Sequence, residues 1–381
     1  MKTNQSKTIL ILTAGIFLLC AFSENNRNTG VTDSVPEKTD QKQYTLKKVF
    51  EGKFYIGAAI SYNQISENNS DEISIITSQF NTITPENCMK WQIIHPEPDV
   101  YNFKQADRFV EFGEKNNMQI IGHILLDQVM TPDWVFQDSK GGIVSGDTLI
   151  NRIKEHIYTI VDRYKGRIHA WHIVNEAIGS DGEFVNSKWY RILGEDYIIK
   201  AFEFAYQADP EVELYYNGHD LLTKEATDRI IKLVADIKNQ GGRIDGIGVQ
   251  GHWKLETPLL NEIERGIVDL TGSGMKIMIT ELDITVLPRY RDDIDLNPYV
   301  NELPAEIQEK LAKRYGDIFA VFCKHADKID RVNFWGMDDG QSWLNNWPYK
   351  GRTDYPLLFD RNLRPKPAFY SVIEAARTAK Q

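Results

Sequence analysis

The sequence predicts a closed barrel of eight parallel strands ringed by helices, an α/β fold of the (β/α)8 TIM type, in a single domain. Three observations carry this. Short apolar runs alternate with longer amphipathic stretches over most of the 381 residues. Polar side chains, carboxylates among them, gather where the apolar runs end. No glycine-rich phosphate loop follows the first run, which removes the support for an open nucleotide-binding sheet.

Taken in order, the candidate strands are Tyr55–Ile60, Thr82–Glu86, Ile120–Leu126, Ala170–Asn175, Glu213–Asn217, Gly246–Gln250, Lys276–Thr280 and Arg331–Gly336. Between them, Asn151–Tyr164, Asp196–Ala208, Lys224–Asn239 and Ala305–His325 show helical periodicity. No low-complexity tract interrupts the chain after residue 45, so residues 46–378 read as one domain. The formal net charge of -10 makes long polyanions such as nucleic acid poor partners, while a neutral polymer stays open. A monomer is expected. Of the 3 cysteines, Cys20 lies near the start, and Cys88 and Cys323 read as buried thiols.

Lys2 and Lys7 precede an apolar run from Ile9 to Leu19 that is too short for a comfortable membrane span. Residues 1–23 therefore read as an export signal. Ala21-Phe22-Ser23 suits ordinary cleavage, and Cys20 after Leu18-Leu19 suggests a lipoprotein site and a lipid anchor. Residues 24–45 are polar and without periodicity, as in a flexible tether. The expected location is outside the cytoplasm: secreted, periplasmic or lipid-anchored at the surface.

Reactive groups in such barrels sit at the C-terminal ends of the strands. Those ends carry Glu86-Asn87, His123 through Gln128, Asn175-Glu176, Asn217, Gln250, His252, Glu281, Asp283 and Trp335. Glu176 and Glu281 each follow an apolar run, and a pair of carboxyl groups is what glycoside hydrolysis requires. An isolated strand-end glutamate reads better as a salt-bridge partner. Two of them, with Asn and His alongside, favour catalysis. His123 reads equally as a structural histidine or a ligand contact.

Several segments then resemble glycoside hydrolase family 10, the endo-1,4-β-xylanase family. Thr84-Pro85-Glu86-Asn87-Cys88-Met89-Lys90-Trp91 is similar to its TPENxMKW, and Trp171-His172-Ile173-Val174-Asn175-Glu176-Ala177 to its WDVVNEA. Gly246-Ile247-Gly248-Val249-Gln250-Gly251-His252 resembles GIGxQxH, and Thr280-Glu281-Leu282-Asp283 resembles TELD. Phe334-Trp335-Gly336 with Ser342-Trp343, then Pro356 to Asp360 and Lys366 to Tyr370, follow in the family's order.

The resemblance implies a retaining hydrolase of internal β-1,4-xylosidic bonds. Glu281 would be the nucleophile and Glu176 the acid/base. Asn175 would bond the sugar 2-hydroxyl, His252 would orient Glu281, and Gln250 and Gln128 would line the same subsite. Glu86, Asn87 and Lys90 would grip the neighbouring sugar, and Trp335 and Trp343 would wall the cleft. No metal or cofactor is implied, and the expected partner is xylan or a related β-glycan. A β-glycanase for a decorated or different glycan, and a carbohydrate-binding barrel with little turnover, are the alternatives. Retention of Glu176, Asn175, His252 and Glu281 speaks against the second.

The chain also departs from that pattern. Where the family reads GHTLVWHxQTPxW, its Trp, His and Gln are Asp127, Gln128 and Met130. The Asp of WDVVNEA is His172, and NDYN is Asn217-Gly218-His219-Asp220. The Thr of WGVTD is Asp338. The altered pair predicts that His172 contacts Asp127 or Gln128, and that a charged His172 shapes the acidic limb of activity.

Overall fold

The computed structural model describes residues 44–66, 69–288 and 295–379. The expected signal and nearly all of the tether lie outside the described residues. The strands are β1 (Tyr55–Ile60), β2 (Thr82–Pro85), β3 (Gln119–Gly122), β4 (Ala170–Asn175), β5 (Glu213–Gly218), β6 (Gly246–Val249), β7 (His252–Lys254), β8 (Lys276–Thr285) and β9 (Ile329–Phe334). They run in the order β6-β5-β4-β3-β2-β1-β9-β8, and a further β6–β8 pairing closes the ring. Every pairing is parallel, as a (β/α)8 barrel requires. The short β7 stands outside the ring and pairs with the far half of β8, His252 opposite Asp283.

Helices cover the outside because their apolar residues recur on one face. Gly146–Arg163 buries Leu149, Ile153, Ile157, Ile160 and Val161. It starts earlier than the expected Asn151 because the Ser145 hydroxyl accepts the Thr148 amide and caps the first turn. Asp196–Ala208 and Lys224–Asn239 match the sequence reading, and Ala305–Lys324 stops one residue short of His325.

Burial separates the strand faces. One large apolar layer fills the space between strands and helices. Inside the barrel a small cluster of Ile121, Ala170, Tyr215 and Met278 forms its own core. Other barrel positions are polar and fully buried: Thr84, His172, Asn217, Thr280 and Asn333. Such groups are stable only when hydrogen-bonded, and Asn333 Nδ2 donates to Thr84 Oγ1 at 2.9 Å. Near the N-terminal ends of the strands, Arg331 pairs with Glu213 and Asp330.

β3 ends sooner than predicted. Gly122 lies opposite Trp171, and a Cβ there would sit 2.0 Å from the Trp171 ring, so only glycine fits. The chain then leaves the ladder and rejoins β4 at Leu126, which bridges Val174. Between those two points it uses one residue more than β4 does. Apolar residues resume after His123, which made the strand read on to Leu126, but the extra residue breaks the ladder and carries Asp127 and Gln128 toward the end of β4.

Candidate active site

Glu281 lies within β8, and Glu176 follows the last residue of β4. Glu176 has a φ of 54°, a left-handed backbone that non-glycine residues adopt rarely. Such outliers concentrate where a side chain must be presented in an unusual direction. Two bonds hold this peptide: the Glu176 amide donates to the Asn217 carbonyl at 2.9 Å, and Gln128 Nε2 donates to the Glu176 carbonyl. The same Nε2 reaches the Asn175 carbonyl at 3.5 Å.

Three amides link the two glutamates. Asn217 Nδ2 donates to Glu281 Oε1 at 2.7 Å and to Asn175 Oδ1 at 2.8 Å. Gln250 Nε2 donates to Glu176 Oε1 at 2.8 Å and to Asn175 Oδ1 at 3.2 Å. Thr280 Oγ1 donates to Asn217 Oδ1 at 2.7 Å, which fixes the orientation of that amide. Asn175 therefore turns its carbonyl to the two donors, and its own NH2 group is left to meet a ligand.

His252 bonds Glu281 Oε2 through Nε2 at 3.1 Å, as the sequence reading expected, and Asp283 Oδ2 through Nδ1 at 2.9 Å. Burial alone would lower its pKa. The two flanking carboxylates outweigh burial and push it up to about 10, so His252 is an imidazolium at neutral pH. Burial would likewise raise the Glu281 carboxyl. The hydrogen bond and charge of His252 and the hydrogen bond from Asn217 hold it down instead, at about 2. Glu281 is thus an anion throughout the ordinary pH range. Asp283 Oδ2 also accepts the Trp343 indole N–H at 2.8 Å, and Trp343 lies 4.9 Å from the His252 ring.

Trp335 ties the rim together. Its ring meets His123 at 5.1 Å and His252 at 6.3 Å, and the Lys90 ammonium lies 5.7 Å from it. Glu86 is close enough to Lys90 for that charge to act on it, although burial dominates and raises its pKa. Asn87 is exposed beside it. The predicted residues Glu86, Lys90, Gln128, Asn175, Glu176, Gln250, His252, Glu281, Trp335 and Trp343 therefore form one connected set. A cavity of about 290 Å³ opens beside His252, lined by His219, Asp220, Thr223, Lys254 and Arg265 among others.

The sequence reading missed Asn217, Thr280 and Asp283 as partners. The available signal was their position at strand ends. It also misplaced His172, which is fully buried and pairs with His123, Nδ1 to Nδ1 at 2.9 Å. Asp127 instead turns into its own loop, accepting the Val129 amide at 2.6 Å. Burial lowers the His172 pKa to about 4, so it carries no charge in the working range and cannot supply the expected acidic limb. Among the described residues no group of three His, Cys, Asp or Glu is disposed to hold a metal ion. Cys88 is a buried free thiol, and Cys323 is half-buried.

The sequence profile of glycosyl hydrolase family 10 matches residues 45–375. The chain belongs to that family. Endo-1,4-beta-xylanase A of Xylanibacter ruminicola is 40% identical over 346 residues, covering 88% of this chain and 94% of that protein. Beta-1,4-xylanase of Dictyoglomus thermophilum is 39% identical over 333 residues, 87% of this chain and 90% of that one. Among solved structures, a GH10 endoxylanase retrieved from sugarcane soil metagenome superposes with a TM-score of 0.84 at 42% identity, over 87% of this chain and 99% of that one. The family-10 chain is a glycoside hydrolase with a (β/α)8 barrel. Within it, Gln128 occupies a position where the family pattern has His. Gln128→Glu keeps the shape but replaces a donor with an acceptor facing backbone carbonyls. It is expected to lower kcat by about tenfold or more with little change in KM, since the lost bond would cost about 1–3 kcal/mol. Gln128→His, which restores a donor, should recover part of it. Equal rates for wild type and Gln128→Glu, in steady-state kinetics on a xylo-oligosaccharide, would remove this role. His172→Asp and Gln128→His are expected to act additively, because the two side chains do not pair.

Proposed function

We propose that this protein is an endo-1,4-β-xylanase that cleaves with retention of configuration. The observation that carries the reading is the pair Glu176 and Glu281, held at two barrel strands by the shared amides of Asn175, Asn217 and Gln250. Glu281 attacks the anomeric carbon while Glu176 protonates the leaving oxygen, giving a covalent glycosyl-enzyme. Glu176 then takes the proton of a water that attacks the same carbon. His252, charged and bonded to Glu281, keeps the nucleophile ionised and aimed. Asn175 offers its NH2 group to the sugar 2-hydroxyl, a contact that tightens as the transition state forms. Glu86, Asn87 and Lys90 grip the adjoining sugar, and Trp335 and Trp343 present ring surface to it.

Release of reducing ends from several xylans and β-glucans tests the substrate. Faster action on linear xylan than on β-glucans is expected, and the reverse order would overturn the xylan assignment in favour of another β-glycan. We further propose that the protein is exported, on the strength of the basic and apolar segment at 1–23. Cys20→Ala should shift the protein from membrane to soluble fractions if Cys20 bears a lipid. An unchanged distribution would rule the anchor out.

A further inference from the structure

Two histidines stand nitrogen to nitrogen within reach of the Glu281 charge, and the placing of their protons decides what they offer the cleft. The His123 and His172 Nδ1 atoms are 2.9 Å apart, a separation that holds one proton and only one. His172 is sealed inside the barrel, and its Nε2 lies 3.4 Å from Met278 Sδ. A thioether accepts hydrogen bonds and never donates. The proton on His172 therefore belongs on Nε2, and its Nδ1 carries a lone pair. His123 Nδ1 must then be the donor. Burial keeps both rings neutral, so His123 has no second proton. Its Nε2 is left bare. Among the described residues that atom has no protein partner, yet it is not among the orphaned atoms sealed from solvent. The charges acting on the ring are Glu281 and Lys90, and Trp335 lies against it, so the ring borders the cleft.

We propose that His172, backed by Met278, fixes the proton of His123 so that His123 presents an acceptor, not a donor, to a hydroxyl of the bound sugar. His172 is a positioning residue in this account: it acts through His123 and touches no substrate. The proposal rests on the glycoside hydrolase reading for its ligand, but the proton placement stands without it. A carboxylate at position 172, as in the family pattern, would also accept from His123 Nδ1. Its charge would in addition favour the doubly protonated ring and turn Nε2 into a donor.

The test uses the full chain with 15N-labelled histidine, and long-range 1H–15N spectra that assign each ring proton. Wild type should show His172 protonated on Nε2 and His123 on Nδ1, with no change near neutral pH. A proton on His123 Nε2 in the wild type would overturn the proposal, whatever the fate of any variant. In His172→Asp, His123 should gain the Nε2 proton; a ring that stays singly protonated would also overturn it. The functional arm uses xylo-oligosaccharides in which single hydroxyls are replaced by fluorine, which cannot donate. In wild type, fluorine at the hydroxyl facing His123 should lower kcat/KM roughly tenfold. In His172→Asp the same replacement should cost less. Identical fluorine penalties in both proteins at every position would contradict the assignment. No turnover of the unsubstituted oligosaccharide would sink the substrate reading and leave the 15N result to decide the proton.

Discussion

Glu281→Ala is expected to lower kcat on xylan by roughly 10⁴-fold or more, because the covalent route disappears with the attacking carboxylate. Oligosaccharide binding should survive, since Asn175, Lys90 and the two tryptophans remain. The fold should survive as well. His252 keeps Asp283, and Asn217 keeps Asn175 and Thr280. The pH dependence of stability supplies a second reading. The Glu281 carboxyl is held at about 2 in the folded protein against an ordinary 4.5. A depressed acid contributes stability that is present above its unfolded pKa and is lost as pH falls toward the folded one. Wild type should therefore lose stability between about 4.5 and 2 through this group, and the variant should not. His252 works in the opposite direction. Its pKa is raised from 6.5 to about 10, so its contribution is complete below 6.5 and fades as pH rises through 10. Without Glu281 the folded value falls, so that contribution should be smaller and should run out at lower pH, while still starting to fade near 6.5. Unfolding midpoints of the two proteins across pH check both statements, and wild-type-like turnover in Glu281→Ala would remove Glu281 from the mechanism.

Glu176→Ala should slow xylan hydrolysis by about 10²–10⁴-fold, the usual worth of a positioned proton donor. Aryl xylosides with acidic phenol leaving groups should suffer far less in the first step, because their oxygen departs without protonation. The second step would then limit turnover, since water lacks its base. Azide needs no base, so it should restore turnover and yield a glycosyl azide of retained configuration. The structure adds a control. Gln250 holds Glu176 Oε1, and its Nε2 also reaches Asn175 Oδ1. Gln250→Leu should therefore impair substrate binding as well as proton transfer, whereas Glu176→Ala should leave binding largely intact. Equal losses on xylan and activated aryl substrates, with no response to azide, would count against Glu176 as the acid/base.

Much of this was legible in the sequence because barrel physics ties function to strand ends. Apolar runs such as Ala170–Asn175 and Lys276–Thr280 identified strands, and Glu176 and Glu281 stood where such runs finish or turn polar. His252 and Gln250 came with a motif, and their contacts with Glu281 and Glu176 now give that motif a geometry. Contacts made across the barrel lumen were harder to read. His123 follows β3 and His172 lies in β4, and they meet in the stretch where the chain carries one extra residue between Gly122 and Leu126. Hydrophobic periodicity cannot register such an insertion when the residues that follow it, Ile124 to Leu126, are all apolar. The same holds for Asp127, whose carboxylate serves its own turn instead of the cleft. β7 escaped notice because three residues carry too little pattern to be seen. Asn217 was visible as a polar strand end, but its role needed the knowledge that Asn175, Thr280 and Glu281 converge on one side chain.

The central claim is that Glu281 forms a covalent bond to the sugar, and trapping that bond tests it most directly. A xylobioside carrying fluorine at carbon 2 of the reacting sugar and an activated leaving group forms the glycosyl-enzyme but releases it slowly. Mass analysis of the intact protein should show one added xylobiosyl unit, and peptide mapping should place it on Glu281. A label on any other residue, or continued turnover with no covalent adduct, would contradict the account.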